Sequence, residues 1–228
     1  MHVTEFAIVR RKTLEEGGTS VSTPRPGPVP IPVDRLLTTA SAVFAKSGYA
    51  AATMQGVAKA ARVTKPTLYS RFSDKAELYH ACLKWEVDYA LEYMFAAYSR
   101  AETLDTIGEI AGDVQAFFDY ARDRPNGFQL IVEIDPSSPP DQNRQRFIDS
   151  VIDRILTRIV PGGNNGRFDD QALRRVTAMA VDVAFQTARD AHRHPQTDPQ
   201  LAADMATSFI AGGIRYALRR ARLDDRPD

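Results

Sequence analysis

"TMQGVAKAARVTKPTLYSRFSDKAELYHACL", Thr53 to Leu83, opens three helices in quick succession, and their spacing decides the fold. Thr53 precedes Met54, Val57, Ala58 and Ala61, the apolar face of a short helix with threonine as its N-cap. Arg62 and Val63 form a turn, and Thr64 opens a second short helix in which Leu68 and Phe72 share one side. Asp74-Lys75-Ala76-Glu77 has the D-x-x-E form of a capping box and starts a long helix that no Pro or Gly interrupts before about residue 100. Pro66 fits either of two registers. With Thr64 as cap it is the second helical residue, where its missing N–H costs no bond; the restriction on the residue before proline would make it the first.

Upstream, Leu36, Leu37, Ala40, Val43 and Phe44 recur at helical spacing, and Gly48 stands where a helix C-terminus needs it. Residues 1–33, rich in Pro, Gly, Ser and Thr between 17 and 32, read as a disordered arm whose Arg10, Arg11 and Lys12 could touch a DNA groove or remain a solvated tail. Downstream, helices are expected over roughly 103–122, 126–134, 140–160, 168–193 and 198–222, with prolines and the Pro161–Gly166 loop at their ends. Without period-two alternation or internal repeats, the fold class is all-α.

The net charge of zero hides an uneven distribution. Residues 34–82 carry seven Lys/Arg against three acids, a net of +4, whereas residues 83–228 carry 18 basic and 23 acidic groups, a net of −5. The first segment has the sign phosphates attract. One cysteine, Cys82, precludes an intrachain disulfide, and no apolar run approaches a membrane span, so a cytoplasmic chain with no membrane partner is expected.

Two short helices behind a packing helix make a helix-turn-helix, the second fit to enter a major groove. With Leu68 and Phe72 turned inward, Pro66, Thr67, Tyr69 and Ser70 point outward, flanked by Lys65 and Arg71. This stretch, with the preceding "RLLTTASAVFAKSGYAAAT", resembles the DNA-binding domain of TetR/AcrR-family transcriptional regulators. The matching elements are Phe-x-x-x-Gly-Tyr, Thr53, V-A-x-x-A, T-K-P-T-L-Y and aromatic-x-D-K-x-x-L. The resemblance implies a helix-turn-helix domain at 32–92 (its core about 53–72), an effector-binding and dimerisation domain at 93–228, and a homodimeric repressor released from a near-palindromic operator by a small molecule. It further implies phosphate contacts at Thr53, Tyr69 and Lys75, and base or groove contacts at Gln55, Lys65, Pro66, Thr67 and Arg71. Lys and Arg can read guanine O6/N7 and Gln can read adenine. Capping alone would also explain Thr53, and a half-buried aromatic Tyr69. One departure stands out: the family has glycine in the turn where this chain has Arg62, which costs roughly 1–2 kcal/mol in a left-handed conformation or changes the turn.

In the larger half, Tyr89, Tyr93, Phe117, Phe118, Tyr120 and Phe128 with Met94 and Met179 could line an apolar effector pocket, with Gln129 or Glu133 among its polar groups; core packing explains the same residues. Val176, Met179, Ala180, Val183 and Ala184 form a stripe, and Ser208, Gly212 and Gly213 allow close helix approach, as a dimer interface would need or as packing within one subunit would. No phosphate-loop, nucleophile-elbow or H-E-x-x-H pattern is present, and His192-x-His194 lacks partners at ligand spacing. Neither enzyme activity, metal nor cofactor is expected. An all-α carrier of small molecules is the alternative, but it leaves the +4 segment unexplained.

Overall fold

The computed structural model describes residues 31–98, 106–159 and 170–223; the expected N-terminal arm up to residue 30, its basic trio and the Pro161–Gly166 loop lie outside them. Those residues form helices and no strands, in the order α1 (Val33–Ala51), α2 (Met54–Ala61), α3 (Lys65–Tyr69), α4 (Lys75–Tyr98), α5 (Thr106–Asp123), α6 (Pro125–Val132), α7 (Asn143–Ile159), α8 (Asp170–Arg193) and α9 (Pro199–Leu223). Among them, no helix is long and apolar enough to cross a membrane.

Two apolar cores divide the chain, and α4 belongs to both. Leu36, Ala40 and Phe44 of α1, Val57 and Ala58 of α2, Leu68 of α3 and Leu78, Cys82 and Leu83 of α4 close the first core, joined by Leu130 of α6. From Val87 onward α4 enters the second, built with Phe117, Phe128, Phe147, Val181 and Ile210 from α5 to α9. Burial pushes the Cys82 thiol up to about 12, so it packs as a small hydrophobe. Between the two cores lies Glu86, 1% exposed, whose carboxylate accepts from Arg124 Nη2 at 2.9 Å. Gly127 makes room for it: a Cβ there would stand 2.1 Å from Glu86 Oε2.

Local chemistry fixes the helix starts. Thr53 Oγ1 accepts from Gly56 N at 3.0 Å, and Thr64 Oγ1 from Thr67 N at 3.3 Å, which makes Pro66 the second residue of α3. Asp74 Oδ1 accepts from Glu77 N at 2.8 Å, but Glu77 reaches back one residue further than a capping box requires, to Ser73 N at 2.5 Å and Ser73 Oγ at 2.7 Å. These bonds hold the Glu77 carboxyl below its ordinary value. Arg62 adopts the left-handed conformation itself (φ 57, ψ 38), and Val63 N donates to Ala58 O at 3.0 Å, so the helix end has the shape glycine normally supplies.

Candidate nucleic-acid interface

Behind α3, Leu68 is fully buried, which turns Lys65, Pro66 and Tyr69 to solvent, with Tyr69 43% exposed. Lys65 Nζ lies 5.6 Å from the Tyr69 ring centroid, a cation over a phenol on the open face. Gln55 and Thr53 are exposed at the start of α2. The helix begins bluntly: Thr64 and Thr67 hydroxyls are 2.7 Å apart, which commits the Thr67 hydroxyl to the cap.

Two expected DNA residues are occupied otherwise. Arg71 lies beyond the end of α3, half-buried, and its Nη1 donates to Ile31 O at 3.0 Å, tying the turn to the approach of α1. The cause is the brevity of α3, which ends at Tyr69 rather than running to Phe72. Lys75 Nζ donates to the carbonyls of Tyr49 at 2.8 Å, Ala52 at 3.1 Å and Ala50 at 3.3 Å, and lies 4.3 Å from the Tyr49 ring. Its ammonium satisfies the orphan carbonyls at the end of α1 and is thereby engaged within the protein. The residue still opens α4.

Within the second core, a narrow apolar cavity of about 50 Å³ runs between α4, α5, α7, α8 and α9, walled by Met94, Ile110, Val114, Phe117, Ile155 and Phe185 among others, with Asp113 as its acid. Of the aromatics expected there, only Phe117 lines it. Tyr89, Tyr93 and Tyr120 form a separate group with centroids 6.0–6.4 Å apart. Arg124 lies 4.5 Å from the Tyr89 ring centroid. Tyr93 Oη donates to Asp123 Oδ2 at 2.7 Å, and burial with that bond pushes the phenol up to about 12. Phe118 and Phe128 are core residues, Phe128 packed 5.4 Å from Phe117 and 5.3 Å from His192. Gln129 donates to Ala45 O at 3.1 Å and Glu133 pairs with Arg193, so neither is a polar group of the cavity.

On α8 the expected roles change places. Met179 is 66% exposed on the outer face, whereas Ala180 and Ala184 line the cavity. Val183 borders an open groove between α8 and α9 with Met205 and Phe209, and Phe209 is 70% exposed. Val176 packs half-buried against the core, Gly213 is exposed, Gly212 is half-buried, and neither glycine faces anything a Cβ would meet. The residues missed from sequence are Phe185, the aliphatic walls and Asp113; an acid inside the α5 stripe Ile110, Val114, Phe117 was the available signal.

The fold and its basic exposed face define a helix-turn-helix protein continued by a helical bundle. The family model for bacterial regulatory proteins of the tetR family matches residues 36–82. Over 185 residues, 80% of this chain and 82% of the relative, the sequence is 40% identical to the HTH-type transcriptional activator FasR of Mycolicibacterium smegmatis. The chain belongs to the TetR family of transcriptional regulators, DNA-binding proteins rather than enzymes. Its fold is shared by the fatty acid degradation regulator FadR of Bacillus halodurans (TM-score 0.65, 15% identity, 80% of this chain and 99% of that one). It is also shared by FadR of Bacillus subtilis in complex with stearoyl-CoA (TM-score 0.66, 17% identity, 80% and 99%).

Proposed function

We propose that the chain is a cytoplasmic, effector-responsive regulator that binds a near-palindromic operator as a homodimer. Residues 32–92 read DNA, and residues 93–228 bind the effector and dimerise. The observation that carries the reading is the exposed, capped start of α3, with Lys65, Pro66 and Tyr69 on one open face and Gln55 beside it on α2. Lys65 and Gln55 read base edges, Pro66 and the Thr67 methyl pack in the groove, and Thr53 and Tyr69 contact phosphates. At Lys75, the free backbone N–H groups at the start of α4 supply the phosphate contact in place of the ammonium.

The apolar walls of the cavity suit a saturated acyl chain, a reading supported by the stearoyl-CoA complex of the B. subtilis neighbour. At about 50 Å³ the cavity is well below the ~300 Å³ of ligand pockets, so such a chain enters by spreading α5 from α8 and α9. The 40% relative bears the name of an activator, which favours activation over the repression implied by the family resemblance. Dimerisation is assigned to the outer apolar face of α8 and α9: Met179, Val183, Met205 and Phe209.

Gel shifts on DNA selected from a random pool, repeated across salt concentrations, test the DNA-reading roles. Lys65→Ala is expected to relax sequence preference, by roughly 1–3 kcal/mol at one base pair. Tyr69→Phe is expected to weaken binding to all sequences alike. Uniform loss from both variants contradicts the assignment.

A further inference from the structure

The last turn of α1, beyond the kink at Gly48, is gripped from two sides. Tyr49 N donates to Asp135 Oδ2 at 2.6 Å, across 86 positions of sequence, while Tyr49 O accepts from Lys75 Nζ at 2.8 Å. The Tyr49 ring packs 5.1 Å from Tyr79 and 6.1 Å from Phe44, so this residue is fixed at its amide, carbonyl and ring. Gly48 meets two demands at once. Its φ of 73 favours glycine, and a Cβ would come within 3.3 Å of Asp135 Oδ2.

Asp135 is itself held by its own loop: Oδ1 accepts from Ser137 Oγ at 2.6 Å and Ser137 N at 2.8 Å. These bonds and that from Tyr49 keep its carboxyl below the ordinary value. The loop follows α6, whose Phe128 packs on the cavity-lining Phe117 while its Leu130 belongs to the DNA-reading core. A displacement of α5 therefore has a packed route to the Asp135 carboxylate, and from there to the Gly48–Tyr49 peptide at the kink of α1.

We propose that Asp135 is a positioning residue for DNA recognition: by holding the Gly48–Tyr49 peptide it lets the C-terminal helices set the placement of α2 and α3. This rests on the function proposed above. It makes a prediction opposite in sign to simple electrostatics, in which deleting an acid from a DNA-binding chain raises affinity.

The test compares the full-length wild type with Asp135→Ala and Asp135→Asn on an operator the wild type selects from a random pool. Asp135→Ala is expected to lose roughly tenfold in operator affinity through misplaced reading helices. Its slope of log affinity against log salt stays that of the wild type, since no phosphate contact is removed. Asp135→Asn retains an acceptor for Tyr49 N–H and stays near the wild type. Stearoyl-CoA is expected to raise the melting temperature of both wild type and Asp135→Ala but to change the operator affinity of the wild type alone. Equal or higher affinity in Asp135→Ala overturns the proposal, as does an altered salt slope or a retained stearoyl-CoA response. Should Asp135→Ala lose cooperative melting, Ser137→Ala, which frees the carboxylate from one hydroxyl, replaces it, and unchanged operator affinity there overturns the proposal. A wild type that ignores stearoyl-CoA in both melting and DNA binding fails the effector reading only, and the affinity and salt results still decide the role of Asp135. A wild type that selects no operator overturns the function and the proposal together.

Discussion

Arg62 shows how a single residue can carry strain without altering a motif. It occupies the left-handed region at φ 57, and the turn between α2 and α3 keeps the bonds that a glycine would allow. Arg62→Gly is therefore expected to stabilise the fold by about 1 kcal/mol, a rise of roughly 2–4 °C in melting temperature for a chain of this size. Differential scanning calorimetry checks it; an unchanged or lower melting temperature contradicts the strain. Glu86 is the opposite case, a charge whose surroundings are built for it. Arg124 pairs with it and Gly127 leaves it space, so Glu86→Ala abandons Arg124, whose side chain is 20% exposed, beside a void. A loss of about 3 kcal/mol in urea unfolding is expected, the low end for breaking a buried pair because Arg124 can still reach water. Both features were half visible in sequence: the missing turn glycine announced Arg62, but nothing local pairs Glu86 with Arg124 across 38 positions.

At the scale of elements, what was legible depended on how locally each helix is specified. Thr53, Thr64 and Asp74 cap α2, α3 and α4 through bonds to residues three positions on, so the starts of the DNA-reading helices could be read directly. The end of α3 could not. Leu68 and Phe72 are both buried, yet the helix stops at Tyr69 and Phe72 reaches the core from the turn, which carries Arg71 to Ile31 instead of to the open face. On α8 the difficulty is width. Positions 176, 179, 180, 183 and 184 form one apolar stripe in sequence, but the neighbouring helices split it: Ala180 and Ala184 turn to the cavity, and Met179 and Val183 to the outer side. Periodicity fixes which residues share an arc, not which neighbour each part of the arc meets. The contact between Asp135 and Tyr49 had only Gly48 as its trace in the sequence.

Over the whole molecule, the outer face of α8 and α9 links the two proposed activities. Phe209 at 70% exposure, Met205 at 63% and Met179 at 66% expose large apolar side chains together, which a two-fold partner would cover. Phe209→Asp is expected to yield a folded monomer by sedimentation with operator affinity reduced about 100-fold or more, because one reading head loses the effective concentration supplied by the other. A dimer of unchanged affinity would place the interface elsewhere. The proposed dimer requires its two α3 helices to lie ~34–36 Å apart, the spacing of successive major grooves on one side of the DNA. The most direct measurement is selection of bound sites from a random DNA pool by the full-length chain, followed by sequencing of the enriched pool. A near-palindromic site with two half-sites spaced by about one helical turn or a multiple of it is the predicted result. Failure to enrich any site, or enrichment of sites without two-fold symmetry, would contradict it.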